Sequence, residues 1–219
     1  MDEYAEHVIH FAKCLRFIGE NGIGGDILEF GVGGGETLLI LERTAGRLLK
    51  QKHRILGFDS FQGLPEPKGK DRDVHGDPSN LGVRFAKGTY RHSREAVSGK
   101  IKRKALNAGN VQLVEGWYEE VLTPQLAEQL SIERASLINV DCDFYESAIT
   151  VLHWCAPLIR QGTVINFDDW YCYESSPEHG EQLAFGEFLA EHPDMTATPF
   201  SNYSWHGLAF IMNKRSRNT

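Results

Sequence analysis

Between the apolar run DILEF and the leucine-rich segment TLLIL, the sequence sets four glycines into five positions: Gly31, Gly33, Gly34 and Gly35. Glycine tolerates positive φ and lets another backbone or a ligand approach the main chain. A strand that passes through such a loop into a helix leaves unpaired N–H groups at the helix N-terminus, which suit a carboxylate, a phosphate or a ribose edge. The stretch reads as part of a nucleotide-type cradle.

The rest of the chain repeats this strand-then-helix order. DILEFG (26–31), RILGFDS (54–60), VQLVEG (111–116), ASLINVD (135–141) and GTVINF (162–167) read as strands. Between them lie segments with apolar residues at helical spacing: Leu38 to Leu49, 92–108, Tyr118 to Leu130, and Ala148 to Ile159. A helix over 178–191 and two strands near 195–200 and 205–213 close the chain. ASLINVD is almost continuously apolar, as a strand covered on both faces should be. The alternation predicts an α/β fold, a Rossmann-like doubly wound, mostly parallel seven-stranded sheet with helices on both faces. At 219 residues the chain is expected to be a single domain spanning 1–219, with an N-terminal helical segment at 1–22. The polar stretch 61–90 is too long for an ordinary connection and is expected to be a lid loop.

Composition narrows the function. A formal charge of −7 argues against a nucleic-acid partner, and the short basic clusters Lys100 to Lys104 and Lys214 to Arg217 read as a solvated helix face and a terminus. Cys14, Cys142, Cys155 and Cys172 form neither a C-x-x-C pair nor a dense framework, so they read as reduced thiols. No apolar window is long enough to span a membrane, and a cytoplasmic location is expected.

A dinucleotide fingerprint G-x-G-x-x-G starting at Gly31 would need glycine where this chain has Glu36. The pattern is instead E-x-G-x-G-x-G from Glu29 to Gly35, with Asp59 followed by Ser60 at the end of strand two. An acid there can accept both ribose hydroxyls, and a ligand without pyrophosphate tolerates it better. S-adenosylmethionine fits these demands, with Glu29, Gly31, Gly33, Gly35, Asp59 and Ser60 as contacts. Trp117 and Tyr118 are candidates for the adenine slot or for core packing. A nicotinamide-dependent dehydrogenase of similar fold and a non-catalytic adenosylmethionine-binding protein are the rival readings.

GDILEFGVGGGETL, GFDSFQGLPEP, VQLVEGWYEEVL, VDCDFYES and VINFDDWY, in this order and at these separations, resemble the macrocin O-methyltransferase family of class I adenosylmethionine-dependent enzymes. The similarity runs from about Ile23 to about Glu191. The resemblance implies O-methylation of a small-molecule hydroxyl, often on a sugar of a natural product, with bound Mg²⁺. It also makes a homo-oligomer an expectation that no residue here specifies. The chain departs from the family in its glycine loop, which lacks the usual Trp or Arg, in a short segment before strand one, and after the paired aspartates. These differences bear on the acceptor.

Asp141 and Asp143 end strand four, and Asp168 and Asp169 end strand five, so neighbouring strands would gather up to four carboxylates. Asp143 stands three residues before Glu146 and reads as the N-cap of a helix over 145–159. That leaves Asp141, Asp168 and Asp169 as metal ligands and catalytic residues, with Asp141 also near the cofactor; caps and turn residues are the alternative. An all-oxygen set suits Mg²⁺ better than Zn²⁺, as the resemblance also implies. His75, His179 and His206 are candidate bases, and Trp170, Tyr171 and Tyr173 either line the acceptor site or cover the sheet.

Overall fold

The structure, a computed structural model, describes residues 2–75 and 86–215, with the side chains of 73–75 left aside. Its elements run α1 (Glu3–Glu20), β1 (Asp26–Phe30), α2 (Glu36–Leu48), β2 (Ile55–Asp59), a 3₁₀ turn (Gly69–His75), α3 (Arg94–Lys104) and β3 (Val111–Glu115). Then follow α4 (Tyr118–Val121), α5 (Pro124–Gln129), β4 (Ala135–Val140), α6 (Tyr145–Cys155), β5 (Val164–Phe167), α7 (Gly180–Glu191), β6 (Met195–Tyr203) and β7 (Gly207–Lys214). The seven strands form one sheet in the order β3-β2-β1-β4-β5-β7-β6. Strands β1 to β5 pair in parallel, and β7 pairs antiparallel with both β5 and β6. The fold is the seven-stranded, mostly parallel Rossmann-like sheet that the alternation predicts.

Strands β1, β4 and β5 are buried at every position, which is why their sequences are near-continuously apolar rather than alternating. Successive residues still face opposite layers. Leu28, Phe30, Ile138, Val140, Ile165 and Phe167 pack with Val151 and Leu152 of α6 and with Phe185 and Phe188 of α7. Ile27, Leu137 and Val164 pack on the other side with Phe11 and Leu15 of α1 and with Leu38 and Leu41 of α2. Each such side chain, fully removed from water, contributes roughly 1.5–3 kcal/mol before ordering costs. All four cysteines are free and buried. Among the described residues no helix is long and apolar enough to cross a membrane.

The structure corrects the sequence reading in two places. The single helix expected over Tyr118 to Leu130 is two short ones, because Pro124 lacks an N–H and holds Thr123 extended (φ −92, ψ 156). Thr123 then caps α5 through the amide of Leu126 at 3.2 Å. The second correction concerns α6. Asp143 is not its N-cap: it takes φ 60, and the N-cap position falls on Phe144, which has no capping side chain. The amides of Tyr145 and Glu146 donate instead to Asp71 Oδ1 and Oδ2 at 2.8 and 3.1 Å. The carboxylate thereby satisfies two of the donors that a helix start leaves open.

Asp71 and the neighbouring Lys70, which donates to Tyr145 Oη and Glu187, tie the first half of the 61–90 segment to α6 and α7. Residues 76–85 of the expected lid lie outside the described residues. Asp71→Ala should lower the unfolding free energy by about 1–2 kcal/mol, the upper range for a lost cap. A denaturant titration checks this, and an unchanged midpoint would refute the capping role.

Candidate functional site

A cavity of about 330 Å³ opens where the sheet order reverses, between β1 and β4 at the carboxyl ends of the strands. The glycine loop forms one wall, and its glycines have different jobs. At Gly31 (φ 94) an added Cβ would stand 1.6 Å from the carbonyl oxygen of Asp141, so the close approach required there is by the neighbouring strand's backbone. At Gly33 (φ 48) a Cβ would meet nothing within 4 Å, and this glycine lines the cavity. Gly35 (φ 77) lies at the N-cap of α2, behind the lining residues, with its amide on Val32 O at 2.8 Å.

Asp59 holds this loop. Its Oδ2 accepts the amides of Val32 and Gly33 at 2.8 and 2.9 Å, and its Oδ1 accepts that of Phe61 at 2.6 Å. A carboxylate has about four acceptor positions, so one remains towards the cavity that Asp59 lines. Ser60 lines it too, with its hydroxyl accepting the Gln62 amide at 3.1 Å. Trp117 and Tyr118 form a further part of the wall. Tyr118 packs in the core and also lines the cavity: its ring stands edge-on to Phe30 at 5.9 Å and its hydroxyl donates to Phe58 O at 3.4 Å. Glu29 lies outside the lining residues, fully buried beneath the loop, with no hydrogen-bond partner for either oxygen. Burial, reinforced by the charges of Asp59 and Asp168, pushes its pKa well above the usual carboxylate range. Burial thus favours its neutral form.

At the other end of the cavity, Asp141, Asp168 and Asp169 each present an oxygen within 4.8 Å of the others. The geometry follows from the strand register: Val140 of β4 pairs with Phe167 of β5, and the aspartates come next. Burial and the charges of Asp168, Asp169, Asp143 and Glu29 drive the pKa of Asp141 well up. Behind Asp169, burial and the charges of Asp169 and Asp168 do the same to Glu181, whose Oε2 accepts the Asp169 amide at 2.9 Å. Asp168 behaves differently. Burial works against its charge, but the His7 hydrogen bond, the nearby His206 and the Tyr203 hydroxyl outweigh it and hold the pKa below the ordinary value.

His7 was not among the histidines singled out from the sequence. Its Nε2 lies 3.3 Å from Asp168 Oδ1 and its Nδ1 lies 2.9 Å from Glu3 O. Both ring nitrogens face acceptors, an arrangement that favours the protonated ring. Burial lowers its pKa, and Asp168 more than reverses this. The available signal was its place on the buried stripe of α1, four residues before Phe11 and seven before Cys14. Of the candidate bases, His206 is at this site, with Nδ1 on Asp168 O at 2.6 Å and Nε2 3.6 Å from Glu3. His179 has a buried Nδ1 without a partner, beside Tyr173. The His75 side chain lies outside the described residues. Trp170 covers the sheet, its ring 4.7 Å from Phe210, and Tyr173 donates to Asp143 O at 3.0 Å; neither they nor Tyr171 line the cavity.

Eight of the lining residues are acids: Glu3, Glu36, Asp59, Glu119, Asp141, Asp143, Asp168 and Asp169. None is Lys or Arg. The cavity favours a ligand that brings positive charge.

A family model described as macrocin-O-methyltransferase (TylF) matches residues 5–191. A relative from Streptomyces olivaceus, 8-demethyl-8-(2,3-dimethoxy-alpha-L-rhamnosyl)-tetracenomycin-C 4'-O-methyltransferase, is 24% identical over 157 residues, 72% of this chain and 57% of that protein. Mycinamicin III 3''-O-methyltransferase from Micromonospora griseorubida is 22% identical over 181 residues, 81% of this chain and 69% of that protein. The chain thus spans little more than half the length of the first of these relatives. Among solved structures, that of the O-methyltransferase NovP superposes with a TM-score of 0.73 at 21% identity, covering 97% of this chain and 80% of that one, a likeness of fold.

The two glycines facing Asp141 and the cavity give opposite expectations. Gly31→Ala should fail to yield folded protein, because a backbone atom blocks the Cβ. Gly33→Ala should fold and lose no more than the roughly 1–2 kcal/mol of a left-handed non-glycine residue. Circular dichroism and melting curves of the pair decide, and equal stability of the two variants would refute the assignment.

Proposed function

The chain belongs to the macrocin O-methyltransferase family, and we propose that it transfers the methyl group of S-adenosylmethionine to a hydroxyl of a small molecule, a sugar of a glycosylated natural product, with Mg²⁺ as cofactor. The observation that carries this reading is the acidic cavity without Lys or Arg. Adenosylmethionine brings a sulfonium and an ammonium against one carboxylate, so it is a net cation. A nicotinamide dinucleotide brings a pyrophosphate that this wall would repel and could not clamp. The dehydrogenase reading is therefore the weaker one.

In this reading the remaining acceptor position of Asp59 takes the ribose, Gly33 leaves room for the nucleoside to lie on the loop, and Trp117 and Tyr118 flank the adenine. Asp141 is the residue shared by the two halves of the site, since its backbone abuts Gly31 while its carboxylate joins Asp168 and Asp169. These three fit a magnesium ion: they are hard oxygen donors close enough to share one cation, and their mutual repulsion shows in the raised pKa of Asp141. Bound there, the ion would act as a Lewis acid that favours the deprotonated acceptor hydroxyl, and adenosylmethionine would supply the electrophilic methyl group. His7 spends both ring nitrogens on fixed acceptors, so it holds Asp168 rather than taking the acceptor's proton. Glu3 at the mouth of the cavity disfavours acidic acceptors. In this reading residues 1–219 act as one domain, and Leu64, Pro65 and Tyr90, from the described parts of the 61–90 segment, flank the cofactor.

Calorimetry with adenosylhomocysteine and a methylation assay on glycosylated natural products test the reading. Binding of a nicotinamide cofactor in place of adenosylhomocysteine would overturn it. Gly33→Val should lose adenosylhomocysteine by filling the space above the loop. Chelation, or the Asp168→Ala/Asp169→Ala double variant, should cut turnover by more than the roughly 100-fold that loss of an outer-shell partner reaches, while leaving adenosylhomocysteine bound. Full turnover in excess chelator would remove the metal from the mechanism.

A further inference from the structure

Behind Asp168 runs a line of hydrogen bonds that the cofactor and cation contacts do not use. Tyr203 donates its hydroxyl hydrogen to Asp168 Oδ1. The same hydroxyl accepts Asn166 Nδ2 at 3.1 Å. Asn166 Oδ1 faces His10 Nε2 at 2.9 Å, His10 Nδ1 faces Ser201 Oγ at 3.3 Å, and Ser201 Oγ accepts Lys13 Nζ at 3.4 Å. His10, Asn166, Ser201 and Tyr203 are all buried.

One placement of the hydrogens joins all of these groups. An ammonium only donates and an ionised carboxylate only accepts, which fixes both ends. Ser201 accepts from Lys13 and passes its own hydrogen to His10 Nδ1. Burial holds the His10 ring neutral, with its pKa lowered to about 4, and in this tautomer its single proton sits on Nε2 and goes to Asn166 Oδ1. The two Asn166 amide hydrogens go to Asn139 Oδ1 at 2.6 Å and to Tyr203 Oη, and the Tyr203 hydrogen goes to Asp168. All five bonds run in one sense, from a cation on α1 to an anion at the site, and bonds aligned this way strengthen one another. Tyr203 is held from the side as well, its ring 4.1 Å from that of His10.

Asn166 lies on the same face of β5 as Val164, beside Asn139 of β4, and its side chain is bonded to Asn139, Tyr203 and His10, so the polar groups of this layer satisfy one another. The line ends on a carboxylate of the site and draws its members from α1, β5 and β6.

We infer that Tyr203 is a positioning residue of the carboxylate site, aimed by the Lys13–Ser201–His10–Asn166 line, and that it fixes Oδ1 of Asp168 so that Oδ2 is presented to a divalent cation. This rests on the reading of Asp141, Asp168 and Asp169 as cation ligands. Mn²⁺ serves as the probe, titrated into the full chain without acceptor and followed by electron paramagnetic resonance. Tyr203→Phe should weaken Mn²⁺ binding by about 10–100-fold, the range for loss of an outer-shell partner of a metal ligand. Its adenosylhomocysteine affinity and melting temperature should stay near those of the wild type. His10→Leu should weaken Mn²⁺ in the same direction, and His10→Gln, which keeps a donor for Asn166, should restore it. Wild-type Mn²⁺ affinity in Tyr203→Phe overturns the inference. Should that variant not fold, equal Mn²⁺ affinities in His10→Leu and His10→Gln overturn it as well. A wild-type protein that binds adenosylhomocysteine but no Mn²⁺, or an Asp168→Ala variant that binds Mn²⁺ unchanged, defeats the cation reading itself.

Discussion

The carbonyl oxygen of Asp141 sits where the first side-chain carbon of residue 31 would be in any amino acid but glycine. This contact closes the seam between β1 and β4, the two strands at which the sheet order reverses. The same seam is stitched by the Asp141 amide on Phe30 O at 2.9 Å. Equivalent bonds repeat across the parallel strands: Gly116 N on Asp59 O, Gly31 N on Phe58 O, and Asp168 N on Val140 O, at 3.0, 3.0 and 2.9 Å. Each strand thus hands its first loop residue to the end of its neighbour. The positions of Asp59, Gly31, Asp141 and Asp168 are set by backbone pairing before any side chain is considered. Because the loops after β1 and β4 leave in opposite directions, the cleft opens at this seam, and the glycine loop and the carboxylates meet there.

Backbone order brings the acids together, and their partners separate them into kinds. Asp59 and Asp71 are engaged by amides of the chain, three for the first and two for the second, and both serve as fasteners of loops or helices. Glu29 and Glu181 are buried and Asp141 is half-buried among other acids, and burial together with the neighbours' charge pushes the pKa of each up. Asp168 has His7, the Tyr203 phenol and His206 around it, and these hold its pKa below the ordinary value. Repulsion among the carboxylates is thus a cost to stability that falls unequally on them.

The parts that could be read from the sequence are those built within one strand-loop-helix unit. Gly31 and Gly33 precede their own helix, Asp59 closes its own strand, and Asp168 and Asp169 follow β5 directly, so spacing alone brought them to one edge. What escaped is what depends on distant partners. The cap of α6 comes from Asp71, 74 residues away, and D-x-x-E at Asp143 looked like a cap because the left-handed turn at Asp143 leaves no trace in local spacing. His7 reaches Asp168 across 161 residues and His10 reaches Ser201 across 191. No periodicity reports such pairs; a histidine on an apolar stripe says only that it is buried. Likewise Glu29 was legible as part of the motif, but not as a carboxyl beneath the loop instead of in the cavity wall.

This division between near and far also runs through the site. The glycine loop and Asp59 are set by β1, β2 and the loops that follow them, within one short stretch of chain. Asp168 is instead steadied by His7 of α1, by Tyr203 at the end of β6 and by His206 in the turn between β6 and β7. Packing fixes where α1 and the β6–β7 hairpin sit, but their loop-side residues face no strand and can change without disturbing the sheet. The charge of Asp168 is therefore governed by residues far from it in sequence, whereas the glycine loop is held by Asp59 of the adjacent strand.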